Sequence, residues 1–133
     1  HEWVRQFLDE KVKPHLKPAM QREGKLRPAS AVQLVGTGGT ATILARMEAQ
    51  IDDYDRDRIE STALSLARVK AHLKQLWSLR LEERQQLIGL PPKRADVIIT
   101  GVMIYEAVME QFQFNKLRVT TRGLRYAAVM EDG

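Results

Sequence analysis

Apolar residues recur at three- and four-residue steps through much of the chain, a period that marks helices with one buried face. From Trp3 to Leu16 the stripe is Trp3, Val4, Phe7, Leu8, Val12 and Leu16, with Pro14 and Pro18 placed to kink or end the helix. Gln21 to Pro28 reads as a polar surface loop. Ala31 to Val35 is an apolar run of strand length, and it meets three glycines before a helix from Thr40 to Gln50 whose inward side is Ile43, Leu44 and Met47. The acidic stretch Asp52-Asp53-Tyr54-Asp55 follows as a loop, and Arg58 to Leu64 is expected as a short strand. Ser65 is placed to cap a helix with the stripe Leu66, Val69, Leu73, Leu76 and Trp77, and Leu81 to Leu87 adds a further helical piece.

Gly89-Leu90-Pro91-Pro92 breaks the pattern, and Pro91 or Pro92 fits the first turn of the next helix. That helix carries Val97, Ile98, Val102, Ile104, Tyr105, Val108, Met109 and Phe112 around much of its circumference, which predicts burial between layers, with Gly101 permitting close packing. Lys116 to Thr120 reads as a last strand and Arg122 to Glu131 as a closing helix with Leu124, Ala128 and Val129 inward. Helices outweigh strands and separate them, so the class is α/β or α+β with a small sheet.

Length and composition narrow this little. At 133 residues the chain suits a single domain over residues 1–133, with 1–30 as a helix and loop leading in. No apolar run approaches the ~20 residues of a membrane span, and His1-Glu2-Trp3-Val4-Arg5-Gln6 lacks the basic-then-apolar order of a signal peptide. The expectation is a soluble, cytoplasmic protein with no membrane partner. The absence of cysteine excludes disulfides, thiol nucleophiles and thiolate metal sites. A net charge of +4 favours anionic ligands without naming them. Because the chain starts at His1 inside an apparent helix, it also reads as a piece of something longer.

The chemistry concentrates in Leu34-Val35-Gly36-Thr37-Gly38-Gly39-Thr40-Ala41. This loop satisfies G-x-G-x-x-A between a strand and a helix, the form of a dinucleotide fingerprint. That fingerprint needs a second strand ending in an acid about 20 residues on. Here the position falls in Asp52 to Asp57, with no apolar strand before it, so the dinucleotide reading is disfavoured. No lysine follows the glycines as a Walker loop requires. Two readings stay open: an anion-binding turn, whose N–H groups and Thr37 and Thr40 hydroxyls surround phosphate oxygens, or a tight connection with no ligand.

Lys93 and Arg94 stand in the first turn of the apolar helix, where cations oppose the helix dipole. Arg94 is suited either to bidentate phosphate contact or to an ion pair with Asp96 or another acid. Arg118, Arg122 and Arg125 form a third basic group, either a solvated face or a nucleic-acid or anion contact. His1, His15 and His72 fall on polar surfaces without a second ligand at helical or strand spacing, and the Asp52 to Asp57 acids lack the glycine and glutamate of an EF-hand. No metal site, no nucleophile grouping and no pair of buried carboxylates is signalled.

Four blocks together carry a resemblance: Val35 to Thr42; Glu83-Arg84 before Gly89-Leu90; Arg94-Ala95-Asp96-Val97-Ile98 with Gly101; and Arg122-Gly123-Leu124-Arg125-Tyr126. In order and spacing, over about three quarters of the chain, they resemble the exopolyphosphatase and guanosine pentaphosphate phosphatase (Ppx/GppA) family. The resemblance implies a ribonuclease H-like lobe of the actin-like ATPase superfamily, a small sheet with helix-rich packing, and specifically the second, C-terminal lobe of a two-lobed phosphatase. It implies hydrolysis of terminal phosphoanhydrides in polyphosphate or guanosine pentaphosphate, with Mg2+ and a carboxylate-assisted water. Gly36, Thr37, Gly38, Gly39, Thr40 and Arg94 would line the cleft toward phosphate or nucleotide, with Lys93 a weaker candidate.

The family's catalytic glutamate and its D-x-G-G-G-S-x-E loop do not occur in this chain, so no catalytic or metal residue is expected here and the segment alone should be inactive. An N-terminal catalytic lobe is therefore an implied partner, and a homodimer is left open. Two positions depart from the family pattern: Glu60 where members often carry histidine, and Ala127 where they often carry glycine. The competing classes are a non-catalytic anion or nucleic-acid interaction module, and a lobe of an actin-like kinase or ATPase.

Overall fold

The structure is a computed structural model and describes residues 2–26 and 32–122. The chain runs α1 (Glu2–Phe7), a π-helical turn (Leu8–Val12), α2 (Lys13–Leu26), β1 (Leu34–Gly36), α3 (Gly39–Ala49), α4 (Arg56–Ser61), β2 (Ala63–Ser65) and α5 (Leu66–Ser78). It continues through α6 (Leu81–Arg84), a 3-10 turn (Pro92–Arg94), α7 (Ile98–Gln111) and β3 (Lys116–Val119). This is an α/β fold with a small mixed sheet and many helices. No helix among the described residues is long and apolar enough to cross a membrane.

The strands lie in the order β1-β3-β2. β1 pairs parallel to β3 with Leu34 opposite Leu117, and β2 pairs antiparallel to β3 with Leu64 opposite Leu117. Strand side chains alternate between faces. One face presents Leu64, Leu117 and Val119 to the core, while Val35, Arg118 and Ala63, in register across the sheet, are exposed on the other. The core joins the covered face to α3, α5 and α7 and centres on Leu44, Ile59, Val69, Leu76, Val102 and Met109. Each such burial contributes about 1.5–3 kcal/mol. A separate small cluster, Val4, Leu8, Ala107 and Phe112, fastens α1 to α7.

Several expectations change. Pro14 and Pro18 do not stop the helix: the π-helical turn just ahead shifts the backbone bonding by one residue, and both prolines then ride on an exposed side. Trp3 and Phe7 face solvent, stacked on each other at 6.1 Å between ring centroids. Arg56–Ser61 is helix rather than strand, because Asp55 caps it by accepting from the Arg58 N–H at 3.2 Å and Ile59 anchors it in the core. The strand shrinks to Ala63–Ser65.

Ser65 does cap α5, accepting from the Arg68 N–H at 3.1 Å. Trp77 is 58% exposed, because α5 buries Val69, His72, Leu73 and Leu76 and Trp77 lies just past that stripe. Pro92 opens the 3-10 turn, so α7 starts only at Ile98, and Val97 and Ile104 remain exposed. The expected closing helix beyond Arg122 lies outside the described residues, as do Arg125 and Ala127.

Candidate phosphate site

β1 and β3 run parallel, so the loop after Gly36 and the turn after Val119 emerge at the same end of the sheet. The carboxyl ends of such strands are where open α/β sheets take ligands. Gly36 is buried, with Tyr105 Oη, Ala41 Cβ and Leu117 Cδ1 2.9–3.1 Å from the place a side chain would need. Its carbonyl accepts from the Thr120 N–H at 3.0 Å. Gly38 turns the chain at φ 91°, a conformation that disfavours any other residue, and its carbonyl accepts the first helical bond of α3 from Thr42 at 3.1 Å. The N–H groups of the first turn of α3 therefore face outward without intrahelical partners.

Arg94 comes to this end from the 3-10 turn, whose backbone is closed by its N–H on the Pro91 carbonyl at 2.9 Å. Both terminal guanidinium nitrogens lie 3.1 Å from where a Gly39 side chain would begin. The guanidinium is exposed and makes no hydrogen bond or ion pair among the described residues; the alternative of a pair with Asp96 is not formed. A positive fork thus stands over a helix N-terminus that is itself partly positive, two features that repel each other and both attract an anion.

The remaining loop residues divide. Thr37 is exposed, and its carbonyl accepts from the Tyr105 hydroxyl at 3.4 Å. Burial of the phenol pushes the Tyr105 pKa up, against the lowering effect of that bond. The Thr40 side chain instead packs against Gly101 of α7, so its hydroxyl is turned to the neighbouring helix rather than to the open side. Lys93 is exposed on the same 3-10 turn.

Two charged groups escaped the sequence reading. His72, expected on a polar surface, is 5% exposed, and its Nε2 lies 2.5 Å from Glu48 Oε2 on α3. Arg68 Nε reaches both oxygens of Glu48, at 3.0 and 3.1 Å. Burial raises the Glu48 pKa, but the hydrogen bonds and charges of His72 and Arg68 outweigh it and the net direction is down. Glu106 of α7 is a buried carboxylate beside Arg5, at 3.3 Å, while Arg5 and Lys70 also pair with Glu110. Burial, then the neighbouring Glu110 charge, raises the Glu106 pKa. Both groups join partners far apart in sequence, and no local spacing announces them.

The Ppx/GppA phosphatase family model matches residues 1–132. The chain belongs to that family. Among solved Ppx/GppA structures, the Aquifex aeolicus phosphatase is 27% identical with a TM-score of 0.72, over 92% of this chain and 41% of that one. An exopolyphosphatase from Cytophaga hutchinsonii is 25% identical with a TM-score of 0.65, over 98% of this chain and 41% of its own. A bifunctional 3-dehydroquinate synthase/phosphatase of Fusobacterium nucleatum is 26% identical over 98 residues, 74% of this chain and 14% of that protein. This Ppx/GppA chain spans less than half the length of these relatives.

Proposed function

We propose that this chain is the second, C-terminal lobe of a two-lobed phosphatase with a ribonuclease H-like, actin-like architecture. The full-length protein would release terminal phosphate from polyphosphate or guanosine pentaphosphate. The observation that carries the reading is the Arg94 guanidinium lying over Gly39 at the start of α3, with no ion-pair partner among the described residues. There, Arg94 and the first N–H groups of α3 neutralise and orient the phosphate chain. In the reaction, the oxygen of a water bonds to the terminal phosphorus, the anhydride bond breaks, and the water proton passes to a carboxylate of the other lobe. Phosphoryl transfer of this kind depends mainly on positioning and charge neutralisation.

The magnesium ion implied by the family resemblance does not fit the described residues, among which no three Asp, Glu or His side chains converge. Its ligands are assigned, with the catalytic carboxylate, to the part of the protein outside this chain. The test is phosphate release from both substrates by the full-length protein with magnesium, beside Arg94→Ala. Turnover of at least one substrate, weakened about tenfold or more in kcat/KM by Arg94→Ala, is expected for a lost charge-assisted contact. Turnover of neither overturns the activity, and a wild-type rate in the variant removes Arg94 from the site.

A further inference from the structure

Glu60 is the penultimate residue of α4, and only one of its carboxylate oxygens serves that helix. α4 already has its cap in Asp55 and its anchor in Ile59. Glu60 Oε1 instead accepts three hydrogen bonds from the turn after β3: the Thr121 hydroxyl at 2.7 Å, the Thr121 N–H at 3.1 Å and the Thr120 hydroxyl at 3.4 Å. Its Oε2 lies 3.7 Å from Arg56 Nε, one helical turn back. The same turn is tied on its other side to the glycine loop, because the Thr120 N–H donates to the Gly36 carbonyl at 3.0 Å. The Arg122 N–H in turn donates to the Thr120 hydroxyl at 3.1 Å.

A continuous path of bonds therefore runs from Glu60 through Thr120 to Gly36. A carboxylate suits its position because one oxygen can accept from several donors while the other faces a guanidinium. The hydrogen bonds from Thr121, side chain first and then backbone, lower the Glu60 pKa against the opposing effect of burial, so it remains an acceptor at neutral pH. The turn after β3 meets Gly36, the last residue of β1, at the end of the sheet from which the glycine loop leaves, and that turn has no regular structure of its own to hold it.

We infer that Glu60 is a positioning residue of the phosphate site, fixing the Thr120–Arg122 turn against Gly36 and through it the orientation of the glycine loop. For its kinetic consequence the inference rests on the proposed phosphatase reading; for its structural consequence it does not. The test uses the full-length protein and the variants Glu60→Ala, Glu60→Gln and Thr121→Val. Two quantities are read: kcat and KM for phosphate release, and amide hydrogen exchange at Thr120, Thr121 and residues 36–41.

Glu60→Ala is expected to speed exchange at both segments and to lower kcat about tenfold, with KM changing less, as misplacement of a positioning group does. Glu60→Gln keeps an acceptor oxygen and should recover most of both. Thr121→Val removes the 2.7 Å donor from the other side and carries the same test should the alanine variant fail to fold. Unchanged exchange at residues 36–41 in Glu60→Ala, or in Thr121→Val if that variant stands in, overturns the inference. So does faster exchange with wild-type kcat and KM. If the wild type acts on neither substrate, the phosphatase reading fails while the exchange data still decide whether Glu60 holds the loop.

Discussion

Thr40 gives its side chain to packing. It fills the notch that Gly101 leaves on α7, so that a methyl at position 101 would stand 2.8 Å from Thr40 Cγ2. Gly101→Ala is expected to destabilise the protein by about 1–3 kcal/mol through overpacking, measured by urea unfolding. Thr40→Ala in the same background should return part of the loss, since it removes both the hydroxyl and the methyl that crowd position 101. Arg94 behaves in the opposite way. It is exposed and has no partner among the described residues, so Arg94→Ala should leave the unfolding free energy within about 0.5 kcal/mol while weakening substrate use. Arg94→Lys keeps the charge but loses the flat fork over Gly39, and should raise KM in the full-length protein without altering the unfolding midpoint.

At the scale of elements, the Glu48–His72–Arg68 group links the last turn of α3 to the first half of α5. The folded Glu48 pKa lies below its ordinary value of 4.5, so the unfolded chain binds the proton more readily. The link is therefore fully present above pH 4.5 and is lost as pH falls through the lower, folded value. Thermal midpoints recorded from pH 7 downward should show an acid-side loss that is smaller in Glu48→Gln. Glu106 works in reverse: its raised pKa means that burying its charge costs stability at neutral pH, and protonation relieves that cost.

The elements were legible in sequence where a period or a cap was local. The stripe of α3, the Ser65 cap and the strand at Lys116 are each contained in a few neighbouring residues. The glycine loop was legible for the same reason, since conformation at Gly38 and a helix start are local matters. What could not be read depends on partners distant in the chain. His72 looks like a surface residue until Glu48 is placed beside it, and Glu60 looks like one position of a short strand until the β3 turn arrives. The helix at Arg56–Ser61 was missed because its cap, Asp55, lies inside a run of acids that reads as loop.

For the whole molecule, the sheet is the informative layer. Parallel pairs are ordinarily covered on both faces, yet Val35, Arg118 and Ala63 lie open on one face among the described residues. Mixing this segment with magnesium and polyphosphate is expected to release no phosphate, against turnover by the full-length protein, measured as free phosphate over time. Release by the segment alone would place the catalytic carboxylate in this chain.

The pairing of Leu34 with Leu117 has a consequence for how the protein is made. A ribosome adds about 5–20 residues per second, so the glycine loop leaves it seconds before the strand that seats Gly36 exists. Until then the loop has a turn but no floor. The proposed phosphate site would accordingly be complete only once β3 has joined the sheet.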